Sequence, residues 1–325
     1  MRRVARLFRA DTGDEAYLDL LPAINDHGEL VSPRGQPTRE LLDVTIEISQ
    51  PALVPPLAVR SNLNLGIAAV ETVQLLAGVS DLPQLDEVSR GRFSRYADAG
   101  RLRGAYGPRL VHQLPEVERR LRADPDTRQA IAVLWCREEP VTADVPCTLS
   151  LTFRIRDNQL GLKVHMRSND VMLGVPYDWF VFSRVQLVMA DCLGLVPGPY
   201  VHHVDSLHLY ERDHDRALSM YRAARLVGAT RLGTITAPLF NTATIDPESQ
   251  PTWLDWTDVR LAARDLLFNT NRHASWWTER LPLVEGRRPC RYCDYVTPLM
   301  ELRNGNGIHS GICRECHDVT VTTIR

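Results

Sequence analysis

The chain has 325 residues, 44% hydrophobic and 24% charged, with a formal net charge of −2. That composition excludes a disordered polyelectrolyte and a protein held to nucleic acid by a global basic field, and it is long enough for a large catalytic core plus a small module. No apolar run approaches the ~20 residues a membrane span needs. The N-terminal MRRVARLFRADTGDEAY carries positive charge without an apolar core, so it does not read as a secretory signal, and a cytoplasmic location is expected.

Basic character rests on arginine, Lys163 being the one lysine, so anion binding here must use the planar guanidinium fork. Seven cysteines are present, four of them in two Cys-x-x-Cys pairs near the C-terminus. An odd count in a chain without a secretory signal points to reduced thiols, metal ligands or a catalytic thiol, not to a disulfide framework.

In chain order, residues 16–60 mix short apolar runs with Pro and Gly around Ser32-Pro33-Arg34-Gly35-Gln36-Pro37, and Asp43–Ser49 alternates as a strand does. Asn62–Ala77 is apolar at helical spacing and stops at Gly78, with Glu71 inside it as either an exposed helix residue or a carboxylate aimed into a cavity. Ala130–Trp135 reads as a strand. Thr148–Ile155 and Leu160–Met166 read as a hairpin turning at Arg156-Asp157-Asn158-Gln159. Trp179–Leu193 is too long and too apolar for a strand and reads as a buried central helix. His202–Tyr210 reads as a strand and Asp213–Val227 as an amphipathic helix. Loop character over 234–252 precedes a further helix at Leu254–Leu267. After Glu285 the composition shifts, dividing the chain into a catalytic domain over 1–285 and a module over 286–325.

In that module Cys290-x-x-Cys293 and Cys313-x-x-Cys316 offer four thiolates as two knuckles, with Asn304-Gly305-Asn306-Gly307 between them. The spacing is that of a zinc ribbon, whose closed four-cysteine site is structural and leaves no open position for water. His309 and His317 are the alternative ligands, and Asp294, Glu301, Glu315 and Asp318 dilute the basic charge that a nucleic-acid-binding ribbon would need.

Val145-Pro146-Cys147 stands before the hairpin, which ends in Arg167-Ser168-Asn169-Asp170 and runs on through Val171-Met172-Leu173-Gly174-Val175-Pro176-Tyr177-Asp178. Together with Arg34, Glu71, the Asp124-Pro125-Asp126-Thr127-Arg128 segment and His208-Leu209-Tyr210, this resembles the thymidylate synthase superfamily over roughly residues 20–275. The resemblance implies an α/β (α+β) fold with a large, mostly antiparallel sheet and a buried central helix. It implies Cys147 as nucleophile and Glu71 as catalytic acid–base. Arg34, Arg167, Ser168 and, from a homodimer partner, Arg128 are implied on the nucleotide phosphate, with Gln129 where the family usually has a second arginine. His208 and Tyr210 are implied on the sugar, and Asp170, Leu173, Gly174 and Tyr177 on 5,10-methylenetetrahydrofolate.

Two departures bear on which member this is. Asp178 stands where synthases have asparagine, and a carboxylate accepts from the cytosine amino group while it repels uracil O4. Ser206 falls where the synthases place an aspartate. The Ser-Leu-His-x-Tyr run, together with the Arg-Ser-Asn-Asp-Val string, resembles the phage deoxycytidylate hydroxymethylases and the cytidylate hydroxymethylases of nucleoside-antibiotic pathways. The expected reaction is therefore C5-hydroxymethylation of CMP or dCMP. The alternatives are C5-methylation of a pyrimidine monophosphate, or a non-catalytic nucleotide-binding or zinc-ribbon protein. Without context Cys147 would be a buried structural thiol, the reading kept for Cys136 and Cys192.

Overall fold

The computed structural model describes residues 6–227 except 52–53, 57–58, 61–62, 81, 99–100 and 137–143, together with short strands between 287 and 323. Its central feature is an eight-stranded sheet in the order β1-β3-β8-β6-β5-β4, with β2 on β3 and β7 on β8. The strands are β1 (Arg6–Ala10), β2 (Glu29–Val31), β3 (Thr38–Ile48), β4 (Ile131–Val133), β5 (Thr148–Arg156), β6 (Gln159–Met166), β7 (Asn169–Asp170) and β8 (Val196–Tyr210). The sheet is mixed: β1–β3, β6–β8 and β7–β8 are parallel, while β2–β3, β3–β8, β4–β5 and β5–β6 are antiparallel.

The β5–β6 hairpin forms because Asp157 and Asn158 both take positive φ, 51° and 58°, the pair of left-handed residues a two-residue turn requires. The expected strand over Ala130–Trp135 shortens to Ile131–Val133, and the strand expected at Asp43–Ser49 begins earlier, at Thr38.

Helix α1 (Gly13–His27) starts with a complete Thr12/Glu15 capping box, and Tyr17, Leu20, Leu21 and Ile24 are buried. Helix α2 (Leu65–Ala77) is capped by the Asn64 side chain, which accepts from Ile67 N–H at 3.1 Å, and ends at Gly78 with φ 73°. Helices α3 (Leu82–Ser89), α4 (Tyr106–Leu110) and α5 (Gln113–Ala123) follow. Helix α6 (Val175–Leu193) is the buried central helix expected from its apolar run. Trp179, Phe180, Phe182, Val185 and Met189 on it are inaccessible to solvent. Helix α7 (His214–Val227) is the last of the helices among the described residues.

No helix among the described residues is long and apolar enough to cross a membrane. Near the C-terminus β9 (Arg287–Pro289) pairs antiparallel with β10 (Val296–Pro298), and β12 (Ile308–Ile312) pairs with β11 (Leu302–Arg303) and β13 (Val319–Thr323). Cys290, Cys293, Cys313 and Cys316, like the helix expected at Leu254–Leu267, lie outside the described residues.

Candidate active site

Hairpin register builds the centre of the site. Pairing Thr148 with Met166 sets the two residues just beyond the strand ends, Cys147 and Arg167, side by side although twenty positions separate them. The Arg167 guanidinium donates to the carbonyls of Pro146 (3.0 Å) and Val145 (3.2 Å) and reaches Cys147 Sγ at 3.7 Å. It also lies 5.7 Å from the ring centre of Trp135, so the cation is held from two sides. Burial pushes the Cys147 thiol up. Arg167 draws it back, Asp178 and Asp144 push it further up, and Arg34 lowers it.

Cys147 and Arg167 open onto a cavity of about 460 Å³ whose wall also includes Arg34, Glu71, Asp144 and Asp178. Glu71 projects from the middle of α2, and Asp178 from the first turn of α6, against which α2 packs. The structure thus decides between the two readings of Glu71 in favour of the cavity. Burial raises its carboxyl to about 8, with the Asp178 charge adding to the effect. Asp178 is raised to about 7 by burial and held back by a hydrogen bond from the Asn169 side chain. Two half-buried carboxylates beside a thiol and two arginines can move protons near neutral pH while an anion is held at the cationic side.

Of the residues implied on folate, Leu173 and Gly174 line the cavity. Asp170 sits behind them and accepts from Met172 N–H at 2.8 Å. The Tyr177 hydroxyl accepts from Asn64 N–H at 3.1 Å, tying α6 to the start of α2. His208 and Tyr210 are not part of the cavity wall. Their rings meet edge to face at 5.2 Å, and His208 Nδ1 lies 3.3 Å from the Ser168 hydroxyl. Ser206 donates to Glu40 at 2.5 Å, so a carboxylate from β3 stands beside the position where the synthases' aspartate would fall. Asp205 turns instead to His165 and His203, at 2.8 and 3.3 Å. Arg34 adopts a left-handed conformation (φ 54°) and is exposed, and Arg128 is exposed outside the cavity of its own chain.

Three wall or support residues escape sequence reasoning. Asp144 accepts from Gly104 N–H at 2.8 Å, and Gly104 has no room for a Cβ against that carboxylate. Tyr106, at the start of α4, stacks on Phe182 at 5.7 Å, and the Gly104 and Gly107 around it were the available signal. Asn169, inside the Arg-Ser-Asn-Asp string, is buried and bonded to Asp178.

Fold and cavity together define a protein whose cavity sets one thiol among arginines and half-buried carboxylates, an arrangement suited to covalent thiol chemistry. The chain belongs to the thymidylate synthase family, whose model matches residues 15–235. It is 32% identical over 231 residues to the deoxyuridylate hydroxymethyltransferase of Bacillus phage SP01, a match that covers 64% of this chain and 59% of that relative's length.

Proposed function

We propose that the protein transfers a one-carbon unit from 5,10-methylenetetrahydrofolate to C5 of a cytidine monophosphate and releases the 5-hydroxymethyl nucleotide and tetrahydrofolate. The observation that carries this reading is the presence of Asp178 in the same cavity wall as Cys147, Arg167 and Glu71.

The Cys147 thiolate adds to C6 of the base, and the electron pair released to C5 forms the bond to the one-carbon unit. Loss of a proton from C5 and departure of tetrahydrofolate leave an exocyclic methylene. Water adds there and gives up its proton. The Cys147–C6 bond then breaks, which restores both the aromatic ring and the thiolate. Glu71 suits the proton transfers, since a carboxyl raised to about 8 holds its proton at neutral pH and can return it. Arg34, Arg167 and Ser168 suit the phosphate.

The phage relative, named for deoxyuridylate, favours a second reading in which uridylate is the base acceptor. A product assay with CMP, dCMP, UMP and dUMP decides between them: 5-hydroxymethyl product from the cytidine nucleotides supports the first. A methyl product, or turnover of uridine nucleotides alone, refutes it.

In our reading the working unit is a homodimer joined through the sheet. The half-exposed Ile131 (45%) and Val133 (48%) on β4 give that association an apolar contribution, and exposed Arg128 is available to the partner's phosphate site. Residues 286–325 form a separate module that binds one structural zinc through Cys290, Cys293, Cys313 and Cys316, a reading supported by their spacing.

A further inference from the structure

Behind Asp178 runs a chain of polar groups sealed from solvent. Asn169 is 3% exposed, and His202 and Tyr200 are fully buried. The Asn169 amide nitrogen lies 3.0 Å from His202 Nε2 and 3.1 Å from Met166 Sδ, and the same side chain hydrogen-bonds Asp178. His202 Nδ1 lies 3.0 Å from the Tyr200 hydroxyl, with the two rings stacked at 6.0 Å and 18° and Trp179 edge-on at 6.2 Å. Burying so many polar groups beneath a ligand cavity is costly unless each is satisfied, so their arrangement calls for a reason.

The direction of this chain follows from its members. Burial lowers His202 to about 3, so the ring is neutral and has one donor and one acceptor. The Asn169 nitrogen end faces a ring nitrogen, a thioether sulfur and a carboxylate, all of which can accept. An amide oxygen placed there would oppose the lone pairs of Met166 Sδ and of the Asp178 carboxylate. Asn169 therefore donates to both His202 Nε2 and Asp178, and His202 Nδ1–H donates to Tyr200. Gly174 fits this arrangement, because a Cβ there would overlap the Asn169 amide oxygen.

We propose that the Tyr200–His202–Asn169 chain fixes which oxygen of Asp178 stays an acceptor and which carries a proton, and thereby sets the base that the cavity accepts. The inference rests on Asp178 being the base-reading residue. A protonated carboxyl with free choice of oxygen pairs with either base: it can donate to cytosine N3 and accept from the amino group, or accept from uracil N3–H and donate to O4. Once Asn169 occupies one oxygen as its donor, the proton is confined to the other. With the confined proton facing N3, cytosine meets a donor at N3 and an acceptor at its amino group. Uracil meets a donor against N3–H and an acceptor against O4. Asn169 and His202 are thus positioning residues acting through Asp178.

The test is kcat/KM on matched cytidine and uridine monophosphates, with methylenetetrahydrofolate, across pH 6–9 for the full-length wild type and variants. Asn169→Leu should lower the cytidine-to-uridine ratio by about 10-fold or more, as expected for a lost buried hydrogen bond, and move the basic limb of the cytidine profile to higher pH, because Asp178 loses the donor that favours its ionised form. His202→Phe, which frees the Asn169 amide to rotate, should act in the same direction, and His202→Gln, which can still accept, should restore the ratio. These two variants keep the test open if Asn169→Leu does not fold. An equal fall on both bases with an unmoved limb overturns the proposal. If Asp178→Asn erodes the base preference while the Asn169 and His202 variants do not, this proposal alone fails. If Asp178→Asn leaves the preference intact, the base-reading role fails and the proposal with it.

Discussion

Arg167 is bound to the Cys147 segment through both main chain and side chain: its N–H donates to the Cys147 carbonyl at 2.9 Å, and its guanidinium lies 3.7 Å from the Cys147 sulfur. One residue therefore both braces the segment that presents the thiol and exerts the largest positive influence on it. If Arg167 also holds the nucleotide phosphate, as proposed above, phosphate recognition and thiolate formation are coupled in this geometry.

From this pairing, Arg167→Leu should leave Cys147 more protonated at any given pH, since burial already pushes the thiol up and Arg167 is the largest influence drawing it back. Alkylation of Cys147 by iodoacetamide near pH 8, followed by mass spectrometry of the Cys147 peptide so that Cys136, exposed and not the core thiol expected from the sequence, does not contribute, should slow on the order of 10-fold. Arg167→Lys should lie between the two, because a point charge keeps the attraction without the fork that grips Pro146 and Val145. An unchanged rate in Arg167→Leu would remove the arginine from thiol activation.

Glu71 predicts a trade between activity and stability. Its carboxyl is raised from 4.5 to about 8 in the folded chain, so between those values the folded state holds a proton that the unfolded state has released. The folded state binding more protons, stability contributed by this group falls as pH rises from about 4.5 to about 8. Glu71→Gln abolishes that loss. Its Tm should match the wild type near pH 4.5 and exceed it by a few degrees at pH 8, while kcat falls by roughly 10²–10⁴. Thermal melts at the two pH values check the first claim and steady-state assays the second.

Much of the candidate site is legible in the sequence because it is built from local strings. Pro146-Cys147 and Arg167-Ser168 flank a hairpin whose Asp157-Asn158 turn fixes its own register, so their approach follows from counting along two strands. The α2 and α6 runs are readable from helical spacing and Gly78 marks the end of α2, but its start, expected at Asn62, falls at Leu65 behind the Asn64 cap, and spacing alone leaves Glu71 open between solvent and cavity. Non-local pairing is not readable. Val196-Pro197-Gly198-Pro199 looks like a loop, since proline cannot donate to a ladder, yet it opens β8 in parallel with β6. There the Gln186 side chain donates to the Leu160 and Gly198 carbonyls, both at 2.8 Å. The left-handed Asp43 (φ 56°) breaks alternation in β3, which conceals its first half. Asp144 and Asn169 carry no signal of their own. Their roles arise only from what folding places across from them.

The zinc reading predicts about one tightly bound zinc per chain in freshly purified protein, measured by elemental analysis. Chelation should lower Tm before it alters kcat at low temperature, because a closed four-cysteine site takes no part in chemistry. Protein isolated without zinc, or a Cys290→Ser/Cys313→Ser variant with undiminished metal content, would rule the site out.

Arg128 offers a test of the dimer that does not depend on measuring its size. It is exposed and lies outside its own chain's cavity, whereas Cys147 lies within it. If Arg128 serves the partner's phosphate site, Arg128→Ala and Cys147→Ala each inactivate both sites of their own homodimer, for different reasons. A mixed dimer restores one site, because the subunit with an intact thiol faces the subunit with an intact arginine. Random exchange of equal amounts gives half mixed dimers with one working site in two, so activity should recover to about a quarter of wild type. Co-expression with two affinity tags isolates the mixed species and raises the expectation to about half. If Arg128 acted within its own chain, no pairing of these variants would create an intact site. Mixed dimers as inactive as either parent would then place the residue in cis.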